Sequence, residues 1–233
     1  MDSELRTVDS EHKKDIQSDS RRIWQLTRSL SSPRHPYQRF FAGNLMTLRD
    51  EARSENVELS QAFMQFYSKH YSANRMKLVV LSRESLDTSE SWIDDLFADV
   101  QNKDLPSDSW DDVQLFSKKE ALTQIFVKPV MDYRYLRIEF PFQHEENIHM
   151  YESQPSSYIS HLIGHEGPGG ILAYLKMNNW ANNLFAEATS RFPGPAFFTI
   201  TITLTENGLK EFKEVVRVVF QYISLIKNIL PQE

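Results

Sequence analysis

Ten residues, His161 to Gly170, constrain the chain more than any other stretch, because four of its seven glycines fall there. Glycine clusters where a backbone must take positive φ or be approached closely. Apolar, helix-compatible sequence leads into the block, and Ile171-Leu172-Ala173-Tyr174-Leu175 follows it. The block therefore reads as a helix, a tight turn and a new helix start, with Pro168 in the first turn of the second helix, where its missing N–H costs nothing.

His161 and His165 are four residues apart, so on a helix they would share a face at metal-ligand spacing. Gly164 interrupts the helix that such pairing would need, and a hydrogen-bonded pair beside a turn is the reading taken here. A net charge of −6 speaks against a nucleic-acid binder, whose affinity rests on neutralising phosphates, and favours basic peptides over polyanions. The chain has no cysteine, which excludes disulfide and thiol chemistry. It shows neither an apolar run of membrane-spanning length nor an apolar leader after Met1, and a cytoplasmic or other intracellular location is expected.

Residues 2 to 30 are polar and helix-prone, and Glu4 and Glu11, seven apart, fall on one helical face within roughly 20°. By themselves they are two solvated carboxylates. Ser31 to Tyr37 is a proline-broken loop in which His35 reads as structural. Phe63, Phe66, Tyr67 and His70 recur at helical spacing. Met76 to Leu81 reads as a buried strand, and Ser85 to Val100 as a helix with Leu86, Ile93, Leu96, Phe97 and Val100 inward. Gln101 to Trp110 has linker composition. Leu122 to Val127 and Tyr135 to Phe142 read as strands, the second from its strict alternation. Ala196 to Leu204 is a third, capped by Thr205 ahead of an amphipathic helix bearing Leu209, Phe212, Val215, Val216, Val219, Phe220, Ile223 and Ile226. Leu81-Ser82 through Phe97 aligns without gaps to Leu204-Thr205 through Phe220, each a strand, a hydroxyl cap and a helix.

The block from Ser160 to Gly169 closely resembles the insulin-degrading enzyme branch of the pitrilysin family of zinc metallopeptidases. Val8-Asp9-Ser10-Glu11-His12 resembles that family's helix with the third zinc ligand, and Pro36 through Leu48 its following connection. The resemblance implies Zn²⁺ as cofactor, Glu11 as a metal ligand and Glu4 as the acid that supports catalysis from one heptad earlier. It also implies an exosite for the amino end of a peptide substrate, made by His161, Gly164, Glu166, Leu184 and Ala186. Ala186 and Glu187 stand where the branch usually carries two glycines, and Leu5-Arg6-Thr7 where small polar residues are usual.

The implied fold is α+β: two partial homologous units, each an antiparallel-rich mixed sheet covered by helices. Residues 1–104 would be the C-terminal part of the zinc-bearing unit, and residues 105–233 the N-terminal part of a non-catalytic second unit with the exosite. No histidine begins His-x-x-Glu-His, the family's ligand pair and general base, and the catalytic strand and helix would lie before Met1. The expected function is thus that of a fragment of a zinc metalloendopeptidase acting on short hormone- or pheromone-like peptides, inactive alone and not holding zinc alone. The alternative is a non-catalytic peptide-binding or scaffold module. Expected partners are peptides, not nucleic acid or membrane. Self-association and association with the missing catalytic segment stay open, as does the choice between a fragment, a truncated product and a binding-only form.

Overall fold

The computed structural model describes residues 2–106, 110, 112–117, 120, 122–142, 154–190 and 196–229. His144, His149 and part of the Gln101–Trp110 linker stretch lie outside them. The chain divides into two compact units, one of Met1–Ile16 with Phe41–Ser109, the other of Gln17–Phe40 with Trp110–Glu233.

The first unit is helical. α1 spans Asp2–Asp15 and turns Leu5 and Asp9 inward, at 6% and 8% exposure. A buried carboxylate must be satisfied, and Asp9 accepts the Leu45 backbone N–H (3.1 Å) and pairs with Lys13 (2.6 Å). These contacts, Lys13 foremost, hold its carboxyl below the usual range. A wide π-type turn, Met46–Asp50, runs into the single-turn α3, Glu51–Ser54. α4 (Leu59–His70) is capped by the Glu58 carboxylate on the Gln61 N–H, and α5 (Leu86–Phe97) by the Ser85 hydroxyl on the Thr88 N–H. The α5 cap is thus Ser85 rather than the aligned Ser82, whose hydroxyl accepts the Glu84 N–H instead.

Met76–Leu81 is not a buried strand. It pairs with no described segment, and Val79 and Leu81 are 90% and 100% exposed. A strand exists only through a ladder, and no described stretch of this unit supplies one. Nor do Leu86, Leu96 and Phe97 face inward; like Phe63, Phe66 and Tyr67 of α4 they are exposed. The helical spacing is realised while the burial it suggested is not.

The second unit holds the sheet. β1 (Tyr135–Phe142), β2 (Ala181–Ser190) and β3 (Ala196–Leu204) form three antiparallel strands in the order β1-β3-β2. β1 pairs with β3 from Tyr135↔Thr203 to Phe142↔Ala196, and β2 with β3 from Ala181↔Leu204 to Ser190↔Ala196, with a bulge between Ala181 and Asn183. α6 (Pro155–Gly164), α7 (Ile171–Met177) and α9 (Phe212–Ile229) cover one face. Ile163, Leu172, Leu175, Ile200, Ile202, Val215 and Val219 are all within the buried core. Each such side chain contributes about 1.5–3 kcal/mol by leaving water. α8 (Glu206–Lys210) opens with Thr205, whose hydroxyl accepts the Gly208 N–H at 2.9 Å, as expected of a helix cap.

The opposite face carries Phe197, stacked near Tyr37 and Phe116, and buried Thr199. α2 (Asp19–Ser29) belongs to this unit. Its first residue, Asp19, is 8% exposed and accepts the backbone N–H groups of Val130 and Met131 as well as an Arg22 guanidinium bond. Leu122–Val127 forms no strand, and Leu122 and Phe126 are 88% and 78% exposed.

Candidate functional site

The site is organised by the glycine block between α6 and α7. α6 ends at Gly164, and the Tyr222 hydroxyl of α9 donates to the Leu162 carbonyl (3.2 Å), satisfying one of the orphan acceptors at that helix end. The chain then turns through Gly167–Gly170, closed by the Gly170 N–H on the Gly167 carbonyl (3.1 Å). Gly169 has φ +87°, and proline before such a glycine is what a type II turn demands. Pro168 therefore serves this turn and not the first helical turn of α7, which starts at Ile171. A Cβ on Gly170 would run into the His165 carbonyl, so only glycine allows the chain to fold back this closely.

This turn sets the end of α6 beside β2, an edge strand of the sheet. Between them lies an open cavity of about 590 Å³, to which His161, Gly164, Glu166, Leu184 and Ala186 contribute. All five residues expected to hold a peptide's amino end thus come together. Leu184 and Ala186 are buried at 4% and 8%, while His161 and Glu166 are exposed. Ser160, His165, Asn183 and Phe185 line it too. The Ser160 hydroxyl is buried without a hydrogen-bond partner among the described residues, and Phe185 is 57% exposed. Asn183 and Phe185 alternate with the core residues of β2, a period-2 signal from which their outward placement was readable.

His161 and His165 approach with ring centroids 6.0 Å apart and planes at 50°, a tilted contact rather than the expected hydrogen bond. Gly164 has no positive φ, and a Cβ there would meet the Ala186 amide nitrogen at an ordinary 3.9 Å. Its smallness, not its backbone freedom, is what the cavity uses. Glu166 lies 3.8 Å from Lys176, which offsets part of its charge, and exposed Glu187 is not in the lining.

Glu4 and Glu11 are exposed on α1, on the side away from Leu5 and Asp9. They lie in the first unit, apart in sequence and in unit from the cavity residues. Among the described residues no three His, Cys, Asp or Glu side chains cluster as metal ligands would. The described donors do not by themselves make a zinc centre. No described helix is long and apolar enough to cross a membrane.

Residues 60–233 match the family described as the peptidase M16 inactive domain. The chain is 41% identical over 237 residues to the A-factor-processing enzyme of Saccharomyces cerevisiae, covering 100% of this chain and 22% of that protein. It is 36% identical over 233 residues to the insulin-degrading enzyme of Homo sapiens, again covering 100% of this chain and 22% of the relative. The crystal structure of pitrilysin superposes with a TM-score of 0.85 at 26% identity, over 99% of this chain and 24% of pitrilysin. The α+β architecture is thus that of pitrilysin, and the chain spans about 22% of the length of these curated relatives.

Proposed function

Because the chain belongs to the family of the peptidase M16 inactive domain, we propose that it works as the peptide-holding part of a zinc metalloendopeptidase acting on short peptides. Residues 1–104 would then be the C-terminal part of a zinc-bearing unit and residues 105–233 the N-terminal part of a non-catalytic one. In this proposal Glu11 supplies one zinc ligand and Glu4 supports it, within a site completed by residues outside this chain.

The observation that carries the reading is the cavity at the β2 edge, where His161, Gly164, Glu166, Leu184 and Ala186 meet. An edge strand offers unpaired backbone groups to an extended peptide. The Ser160 hydroxyl adds a polar group with no partner among the described residues, and Glu166 attracts a terminal amine. Each exposed hydrogen bond contributes only about 1 kcal/mol net, so a peptide should bind no more tightly than about micromolar.

Titration of a labelled hormone-length peptide tests this. Acetylating the peptide's amino terminus and introducing Gly164→Val should each weaken binding, the first by removing charge and the second by filling the space beside Ala186. Unchanged affinity in both cases would reject the site. With zinc added, the 233-residue chain is expected not to cleave a quenched peptide. Chelator-sensitive cleavage by protein free of contaminating protease would overturn that expectation.

A further inference from the structure

Among the described residues β2 pairs only with β3, so its other edge is open. Its side chains alternate. Leu184 and Ala186 enter the core, while Phe185 and Glu187 stand on the opposite face, both exposed. We propose that Phe185 and Glu187 select the peptides this edge accepts: those with an apolar and a basic side chain two residues apart near the amino end. This rests on the peptide-holding reading above.

Register leads to the spacing. A peptide that adds to β2 as a strand shares its pleat, so every second side chain falls on the outward face, about 6.6 Å from the last. Successive side chains on that face then lie beside Phe185 and beside Glu187. Phe185 lines the cavity, and Glu187 is the next outward position beyond it. Phe185 is 57% exposed, so an apolar partner would take aromatic surface out of water.

Charge on the same face points to a cation at the second position. Across the ladder Glu187 faces Thr199, and Thr199 faces Glu139 of β1. Arg137, one outward position along β1, pairs with Glu139 at 2.6 Å, and Glu139 also accepts the Thr27 hydroxyl at 3.4 Å. That arginine is thus engaged within β1. The Glu187 carboxylate has no ion pair or hydrogen bond among the described residues. A lysine or arginine opposite it would meet an unneutralised charge, and an acidic side chain would be repelled. Glu166, 3.8 Å from Lys176, takes the terminal amine in the reading above, whereas Glu187 reads a side chain.

The test uses the 233-residue chain and labelled free-amine peptides of one uncharged host sequence. A single lysine, or a single glutamate, is moved residue by residue along the amino-terminal half, and affinity is read by fluorescence anisotropy. At one position lysine should bind about fivefold more tightly than glutamate. Glu187→Lys should invert that preference at the same position, and Glu187→Gln should flatten it. The preference should fade at high salt, as exposed ion pairs do. Leucine in place of serine two residues away should tighten binding about threefold in the native chain and leave Phe185→Ser unmoved. Circular dichroism checks that each variant is folded. If the host peptide responds to Gly164→Val and to acetylation but no position responds to Glu187→Lys, the selection by Glu187 is wrong and the peptide site stands. A leucine preference that survives Phe185→Ser removes Phe185 in the same way. If neither Gly164→Val nor acetylation matters, the peptide-holding reading falls and this inference falls with it.

Discussion

Two segments of the same pattern meet opposite fates. Leu204 to Phe220 and Leu81 to Phe97 align residue for residue, yet Leu204 is 3% exposed and Leu81 100%. Val215 and Val219 are fully buried, while the matching Trp92 and Leu96 are 48% and 74% exposed. Both segments make a capped helix. Among the described residues only the later one has a ladder and facing helices to close over it. Local pattern specifies the element, and burial belongs to the surface that the element finds.

The sharpest way to break that comparison is a matched pair of truncations. Leu204→Ala should cost about 2–5 kcal/mol, as core truncations do, whereas Leu81→Ala should stay within about 0.5 kcal/mol. Amide exchange, read separately for the two units, measures both. Equal costs would mean that Leu81 is covered in solution. A pair of glycines comes next. Gly208→Ala would drive a Cβ into the Trp180 carbonyl and should cost about 1–3 kcal/mol. Gly164→Ala meets only an ordinary contact and should be neutral to chemical denaturation. Smaller still are the caps. Thr205→Ala should lose about 1 kcal/mol, and Ser85→Ala less, since α5 packs little of its surface.

The last test concerns acid. Val130 and Met131 N–H groups and Arg22 hold the Asp19 carboxyl below the ordinary range. A depressed carboxyl stabilises the fold above its unfolded value, near 3.9, and that contribution disappears as pH falls through the folded value. Thermal scans from neutral pH downward should therefore lose stability below about pH 4, with a shallower slope in Asp19→Asn. An identical slope would remove Asp19 from the account.

What could be foreseen follows the same division. The alternation of Leu136, Ile138 and Phe140 and the run of β3 are local, and the Thr205 cap is a short-range bond; all appear where expected. The misjudged stretches, Met76–Leu81 and Leu122–Val127, are apolar runs whose state depends on a partner strand, which periodicity does not name. Pro168 was displaced by a three-dimensional demand, the positive φ of Gly169. The role of Asp9, an acid flanked by more conspicuous Glu4 and Glu11, rests on Leu45, far along the chain. At the cavity, the resemblance pointed to five residues and the alternation of β2 could have added Phe185, while the Ser160 hydroxyl, without a partner among the described residues, emerged only once α6 was seen beside β2.

The bulge in β2 bears on how relatives should be aligned. Between Ala181 and Asn183 the strand advances two residues while β3 advances one, from Leu204 to Thr203. Asn182 is thus a spare unit of length in a ladder that otherwise tolerates none. Losing it would leave every later residue on its present side. A one-residue insertion or deletion just after Asn183 would instead turn Phe185 and Glu187 toward the core and expel Leu184 and Ala186. A gap placed at 182 preserves the inheritance of the cavity wall; a gap placed just after 183 erases it.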